Sequence, residues 1–400
     1  MIPESKKSRG IGVETCLSLS SKETIKYKQK KTNMTQEQKQ PKARVLAYYL
    51  PQFHPIPEND EWWGKGFTEW TNVGKAKPLF PGHYQPHVPA DLGYYDLRVP
   101  ETREAQAQMA REAGVEGFVY WHYWFGNGKR LLERPFNEVL ASGKPDFPFA
   151  LAWANETWSG SFHGKVQGGT LIEQCYGGDE DYYNHFMTVL PAFKDKRYIT
   201  IDGKPIFVVY KPKLIPNAEH FIKYWRQLAT ENGLPGIYFI GIANVIYDKL
   251  DSEETLKQYM QMGFNGMTTI NMFNQGEGFW YKVKKHLWMK WLHKPDIRRY
   301  DFELMKDKTD SIENVFPTVY PNWDHTPRSG NKGICVADTS PIKWKRALEM
   351  MLDRIKNKPV DKRVLFVKSW NEWAEGNYLE PDIKYGHAYL DNLQEALFEK

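Results

Sequence analysis

From Arg44 onward the chain alternates short apolar runs with longer stretches of helical periodicity, and it does so eight times. Apolar runs bounded by turn residues read as buried strands, and the stretches between them read as amphipathic helices. The pattern predicts strands over Val45–Leu50, Gly117–Trp121, Phe149–Trp153, Pro205–Tyr210, Ile237–Ile242, Gly266–Ile270, Val315–Val319 and Val364–Ser369. It predicts helices over Glu101–Ala113, Leu131–Ser142, Asp179–Phe193, Ala218–Asn232, Ser252–Met262, Pro341–Lys356 and His387–Phe398. Repeated βα units give either a closed (β/α)8 barrel or an open doubly wound sheet. The open sheet is expected to carry a Gly-rich phosphate loop after an early strand, and none occurs here. We therefore expect a single α/β domain over residues 41–400, a (β/α)8 barrel. It carries a long aromatic loop, Pro55–Pro100, after the first strand, and a helical insertion at about 275–312 with Trp280, Trp288 and Trp291 among many lysines.

Residues 1–40 are polar, rich in Lys and Gln and without periodicity, and are expected to be a disordered basic tail. The net charge of +5 comes from this tail, which holds nine of the 54 basic residues but only four of the 49 acidic ones. The remaining 360 residues are balanced at 45 of each, which argues against a nucleic-acid partner. Three scattered cysteines, Cys16, Cys175 and Cys335, make neither a disulfide framework nor a zinc motif. No apolar run reaches the roughly 18 residues of a membrane span, and the N-terminus has no signal-peptide core, so a cytoplasmic location without membrane insertion is expected.

A barrel puts its chemistry at the C-terminal ends of its strands. Those ends carry Gln52 and His54, then His122 and Trp124, Asn155 and Glu156, Tyr210 and Lys211, Asn244, Trp323 and Asp324, and finally Trp370, Asn371, Glu372 and Glu375. With Tyr49 and Trp70 added, they describe a polar cup walled by aromatic rings. Trp and Tyr suit stacking on sugar rings, and the chain is 15% aromatic with 15 Trp and 23 Tyr, although core packing uses the same residues. Glycosidic cleavage needs two carboxyl groups. Glu372 and Glu375, three residues apart directly after the last strand, would supply both if they shared a helical turn, and their repulsion would raise one pKa. Acidic residues opening the final helix would give the same pattern. Asn-Glu follows a strand twice, at Asn155-Glu156 and Asn371-Glu372, so a second assignment makes Glu156 the acid/base and Glu372 a nucleophile. His54, His83 and His122 follow no ligand spacing, and neither metal nor cofactor is expected.

At these motifs the chain resembles the glycoside hydrolase family 99-like group, whose bacterial members are called WbsX-type glycosyltransferases. The matching stretches are Ala47-Tyr-Tyr-Leu-Pro-Gln-Phe-His54, Trp63-Gly-Lys-Gly-Phe-Thr-Glu-Trp-Thr-Asn-Val73 and Gln85-Pro-His-Val-Pro-Ala-Asp-Leu-Gly-Tyr-Tyr-Asp-Leu97. Four more are Gly117-Phe-Val-Tyr-Trp-His-Tyr-Trp-Phe125, Trp153-Ala-Asn-Glu-Thr-Trp158, Trp323-Asp-His-Thr-Pro-Arg328 and Ser369-Trp-Asn-Glu-Trp-Ala-Glu-Gly376. The resemblance implies a barrel acting on an oligo- or polysaccharide. It makes Glu372 the base that removes a proton from a sugar 2-hydroxyl, giving a 1,2-anhydro intermediate, and Glu375 the acid that protonates the leaving oxygen and later activates water, with net retention. Family 99 segments usually have His where this chain has Ala374, and Phe is common where Trp370 stands. The expected function is cleavage or transfer of an α-glycoside, α-mannoside-like, in a bacterial cell-surface polysaccharide or O-antigen. The rival readings are a nucleotide-sugar glycosyltransferase of lipopolysaccharide biosynthesis and a non-catalytic carbohydrate-binding scaffold. The scaffold would dock polysaccharide-assembly enzymes through the 275–312 insertion.

Overall fold

The computed structural model describes residues 40–160, 169–243, 251–269, 279–300 and 307–398. The expected tail and Asn244 lie outside the described residues. Eight parallel strands form one sheet: β1 (Arg44–Tyr49), β2 (Gly117–Trp124), β3 (Phe149–Trp153), β4 (Lys204–Val209), β5 (Tyr238–Ala243), β6 (Gly266–Thr269), β7 (Val315–Val319) and β8 (Val364–Val367). Each strand pairs with the next in sequence, and β1 also pairs with β8, Val45 opposite Leu365 and Ala47 opposite Val367. That last pairing closes the sheet and excludes the open alternative. Nearly every strand residue is buried, as expected for a parallel sheet covered on its outer face and filled on its inner one.

Helices between the strands are α1 (Pro100–Glu112), α2 (Arg134–Ser142), α3 (Gly178–Phe193), α4 (Ala218–Glu231), α5 (Ser252–Gln261), α6 (Phe279–Trp291) and α7 (Pro341–Ile355), with α8 (Ala388–Phe398) closing the chain. Their starts follow from side chains that accept orphan backbone N–H groups: Asn217 from His220, Asp251 from Glu254 and Ser340 from Lys343. Inside the barrel the Thr268 and Thr318 hydroxyls lie 2.8 Å apart, and Tyr48 stacks between Trp121 and Phe366.

Three local expectations are revised. β2 runs three residues past Trp121, because Tyr123 and Trp124 pair with Leu131 and Arg130 in a short antiparallel ribbon that keeps the chain extended. The Pro55–Pro100 segment carries two short helices, Pro57–Trp63 and Glu69–Lys75. The 275–312 insertion is helical only over α6 within its described part, and Asp296–Arg298 then forms a strand parallel to Ile334–Val336.

Candidate active site

β8 ends at Val367, but the chain beyond it stays knitted to the barrel. Lys368 N–H donates to the Val319 carbonyl (3.0 Å) and Trp370 N–H to that of Tyr48 (2.8 Å). Asn371 clamps Leu50 on both sides, accepting its N–H at 2.7 Å and donating to its carbonyl at 3.1 Å. Asn371–Glu372 then pairs antiparallel with Asn377–Tyr378 across a 3-10 turn, Trp373–Glu375. Gly376 closes this hairpin at φ +59°, where a Cβ would lie 2.7 Å from the Asp324 backbone nitrogen, so both backbone conformation and space call for glycine. Glu372 and Glu375 therefore sit on a pinned hairpin. The last helix starts only at Ala388, which removes the reading that they open it.

The hairpin presents both carboxyls to a cleft of about 290 Å³ at the C-terminal rim. Glu372 Oε1 accepts the Trp121 indole N–H at 2.8 Å, and Oε2 lies 2.9 Å from Lys368 Nζ. Glu375 accepts a short hydrogen bond from Arg328 Nη1, faces Lys368 Nζ at 3.4 Å and takes the Asn377 amide at 3.2 Å. Arg328 also bonds Glu69 at 3.1 Å. Burial, and next the charge of Glu375, push the Glu372 carboxyl up to about 7. Burial also works against charge on Glu375, but Lys368 and Arg328 outweigh it and hold that carboxyl well below its usual range. Lys368 Nζ bridges the two carboxyls. In the free site the proton therefore rests on Glu372, the reverse of the resting arrangement that the implied base and acid roles require.

The same cleft is lined by Gln52, Glu156 and Tyr210 from the sequence set, and by Trp121, Tyr123 and Trp158 beside them. Glu156 lies 2.6 Å from Lys211 Nζ, and Asn155 fixes that lysine's backbone, accepting its N–H and donating to its carbonyl at 2.8 Å each. Ten other residues of the set do not line the cleft. Side chains alternate along a strand, so in β2 Trp121 and Tyr123 face the cleft while His122 and Trp124 point outward. There His122 Nε2 meets His185 Nε2 of α3 at 2.8 Å, burial lowers its pKa to about 3, and Trp124 stacks on the His185 ring. By the same parity Tyr49 faces outward and donates to Gln106 of α1 at 2.7 Å. His54 is buried, and Trp370 is sealed against Phe118. Trp70 donates to the Tyr95 carbonyl and packs on Trp373 of the hairpin. Asn155 and Asn371 act on backbone, as described. Trp323 and Asp324 line a separate small cavity beside Gly376.

The sequence set omits Lys368, Arg328, Trp121 and Tyr123. Reading β2 with its alternation through to Trp124 would have found the two aromatics, but nothing local marks Arg328 as the partner of Glu69, 259 residues away.

His83, Asp324 and Cys335 converge closely enough to hold a metal ion. The hydrogen bonding does not fit one. His83 Nδ1 accepts the Leu79 N–H at 3.0 Å, so the ring proton sits on Nε2, which donates to Asp324 at 2.7 Å. A second donor, Gln85, occupies the same Asp324 oxygen at 2.6 Å. The trio is a polar clamp behind the Glu375 hairpin.

The closed sheet and its rim define a (β/α)8 barrel of glycoside hydrolase-like architecture. The chain belongs to the WbsX family: the family model described as Glycosyltransferase WbsX matches residues 45–393. The protein WxcX of Xanthomonas campestris pv. campestris is 35% identical over 366 residues in strain B100 and 36% over 361 residues in strain ATCC 33913. Each alignment covers 89% of this chain and 50% of the relative, so the chain spans about half the length of the curated relatives it matches. Among solved structures, a glycoside hydrolase-like protein superposes with a TM-score of 0.54 at 15% identity, covering 90% of this chain and 94% of that one. The GH99 endo-α-mannosidase from Bacteroides thetaiotaomicron, bound to bis-tris propane, gives 0.51 at 15% identity, covering 88% and 95%. These likenesses establish the barrel. No helix among the described residues is long and apolar enough to cross a membrane.

Proposed function

We propose that this chain cleaves or transfers an α-linked, α-mannoside-like glycoside of a bacterial cell-surface polysaccharide, with retention, at Glu372 and Glu375. The observation that carries the reading is the pair of buried carboxyls on the cleft bridged by Lys368, one member poised near neutrality and the other held ionised. In the first step the shared proton crosses to Glu375 and leaves Glu372 as carboxylate. Glu372 takes the 2-hydroxyl proton as O2 bonds to C1, while the C1–O bond to the leaving group breaks and its oxygen takes the Glu375 proton. In the second step an acceptor hydroxyl gives its proton to Glu375 and bonds to C1 as the C1–O2 bond breaks, and Glu372 returns its proton to O2. Two inversions give retention. A structural neighbour that is an endo-α-mannosidase is in keeping with an α-mannoside-like substrate.

The test is turnover of a panel of oligosaccharides, O-antigen repeats included, with the product anomer read by NMR. Glu372→Gln and Glu375→Gln should each lose on the order of 10²- to 10⁴-fold, the usual worth of a positioned acid or base. Unchanged turnover in either variant sinks the assignment, and an inverted anomer sinks the 1,2-anhydro route. Glu156→Gln separates the second assignment, because a comparable loss there moves the acid/base role to Glu156.

A nucleotide-sugar transferase is the second reading, favoured by the family's description. A diphosphate donor needs cationic groups to receive it. The cations that line the cleft among the described residues, Lys211, Arg328 and Lys368, each already face a glutamate. Calorimetric titration with nucleotide sugars decides the point, since tight binding would promote this reading.

A further inference from the structure

We infer that α6 and the turn after it are a membrane-surface contact that seats the protein on an anionic lipid bilayer. Residues 279–294 contain five lysines (282, 284, 285, 290 and 294), two histidines and no acidic residue, while the rest of the chain beyond position 40 has 40 basic and 45 acidic residues. The inner side of α6 is used: Lys285 Nζ lies 3.2 Å from Asp296, and the Trp288 ring lies beneath the Lys294 ammonium at 5.5 Å. Among the described residues its outer side is exposed. Leu287 and Trp291, one helical turn apart, are 48% and 72% exposed, and Leu292 beside them is 55% exposed. Lys290 and His286 are exposed on the same side.

A tryptophan and two leucines standing in water amid lysines match the composition of helices that lie in the membrane interface: apolar side chains enter the headgroup boundary while lysines meet anionic phosphates. Protein partners fit less well. A stable protein interface covers about 800 Å² on each side, and three apolar side chains fall short of that. The contact lies on the surface and spans nothing, so it needs no long apolar helix. It is independent of the reaction assigned to the cleft.

The test is co-sedimentation of the full chain with vesicles of about 30% phosphatidylglycerol in phosphatidylethanolamine, and with pure phosphatidylcholine vesicles, at low and high salt. Binding to the anionic vesicles should exceed binding to the neutral ones at least about fivefold and weaken with salt, since each lysine near such a surface is worth about fivefold in affinity. Trp291→Ser with Leu292→Ser should abolish most of it, and Lys290→Glu should cut it about fivefold or more. All variants should keep wild-type melting and full turnover of a soluble oligosaccharide. Equal binding to both vesicle types, or binding indifferent to these substitutions, overturns the inference. A concentration-dependent dimer that Trp291→Ser dissolves also overturns it and assigns the patch to a second copy of the chain.

Discussion

Replacing Lys368 by Met removes the one cation that touches both carboxyls while keeping most of the side-chain volume. Lys368 Nζ lies 2.9 Å from Glu372 and 3.4 Å from Glu375. At an effective dielectric of about 20, the difference between those two attractions is about 0.8 kcal/mol, favouring charge on Glu372. The productive arrangement, with Glu372 ionised and Glu375 protonated, therefore loses about fourfold in population when the lysine goes. The pH profile moves as well. The last shared proton leaves Glu372 near pH 7 in the wild type, so activity should fall as pH rises through that value. An opposite charge at this range depresses a carboxyl by about 1–3 units, so its removal raises the last pKa and carries the alkaline limb about 1–3 pH units upward. Steady-state kcat against pH, with circular dichroism to confirm folding, measures both effects. An alkaline limb that stays in place or moves down would refute the assignment of the proton to this pair.

Trp121→Phe keeps the ring but deletes the N–H that bonds Glu372 at 2.8 Å. A hydrogen bond to a charged group is worth about 1.5–3 kcal/mol, so kcat/KM should fall at least about tenfold while the melting temperature changes little. His122→Ala should show the opposite split. Its ring packs on His185 outside the cleft, so unfolding in denaturant should show a loss on the order of 2 kcal/mol with kcat/KM within about twofold of wild type.

The strands were legible because a parallel barrel buries both faces of each one and leaves near-continuous apolar runs, as in Val364–Val367 and Phe149–Trp153. The Glu-x-x-Glu pair was legible for a related reason: two carboxylates directly after such a run are costly unless used or solvated. The direction of side chains at the end of β2 was not legible. The aromatic run of β2 reads as a loop past Trp121, and only the pairing with Arg130–Leu131 reveals that it stays extended and turns His122 and Trp124 away from the cleft. The ion pairs were illegible, since the contacts Glu69–Arg328–Glu375 join three segments far apart in the chain that no local pattern relates.

Charge counting ties these contacts to the chemistry. Around the hairpin three carboxyls, Glu69, Glu372 and Glu375, meet two cations, Arg328 and Lys368, all buried or nearly so. His325, 4.0 Å from Glu375, adds nothing at neutral pH because burial lowers its pKa. One negative charge is left over in a medium that disfavours it, and binding one proton removes it. The proton goes to Glu372, which shares a single lysine, rather than to Glu375, which has both cations. A raised carboxyl here thus follows from the cluster's stoichiometry. A further cation would ionise the whole group, and the loss of one would make it hold its proton to higher pH. On the proposed reading, one proton on two buried carboxyls bridged by Lys368 suits acid–base work on an uncharged sugar, and the neutralised cations leave a phosphorylated donor little to bind.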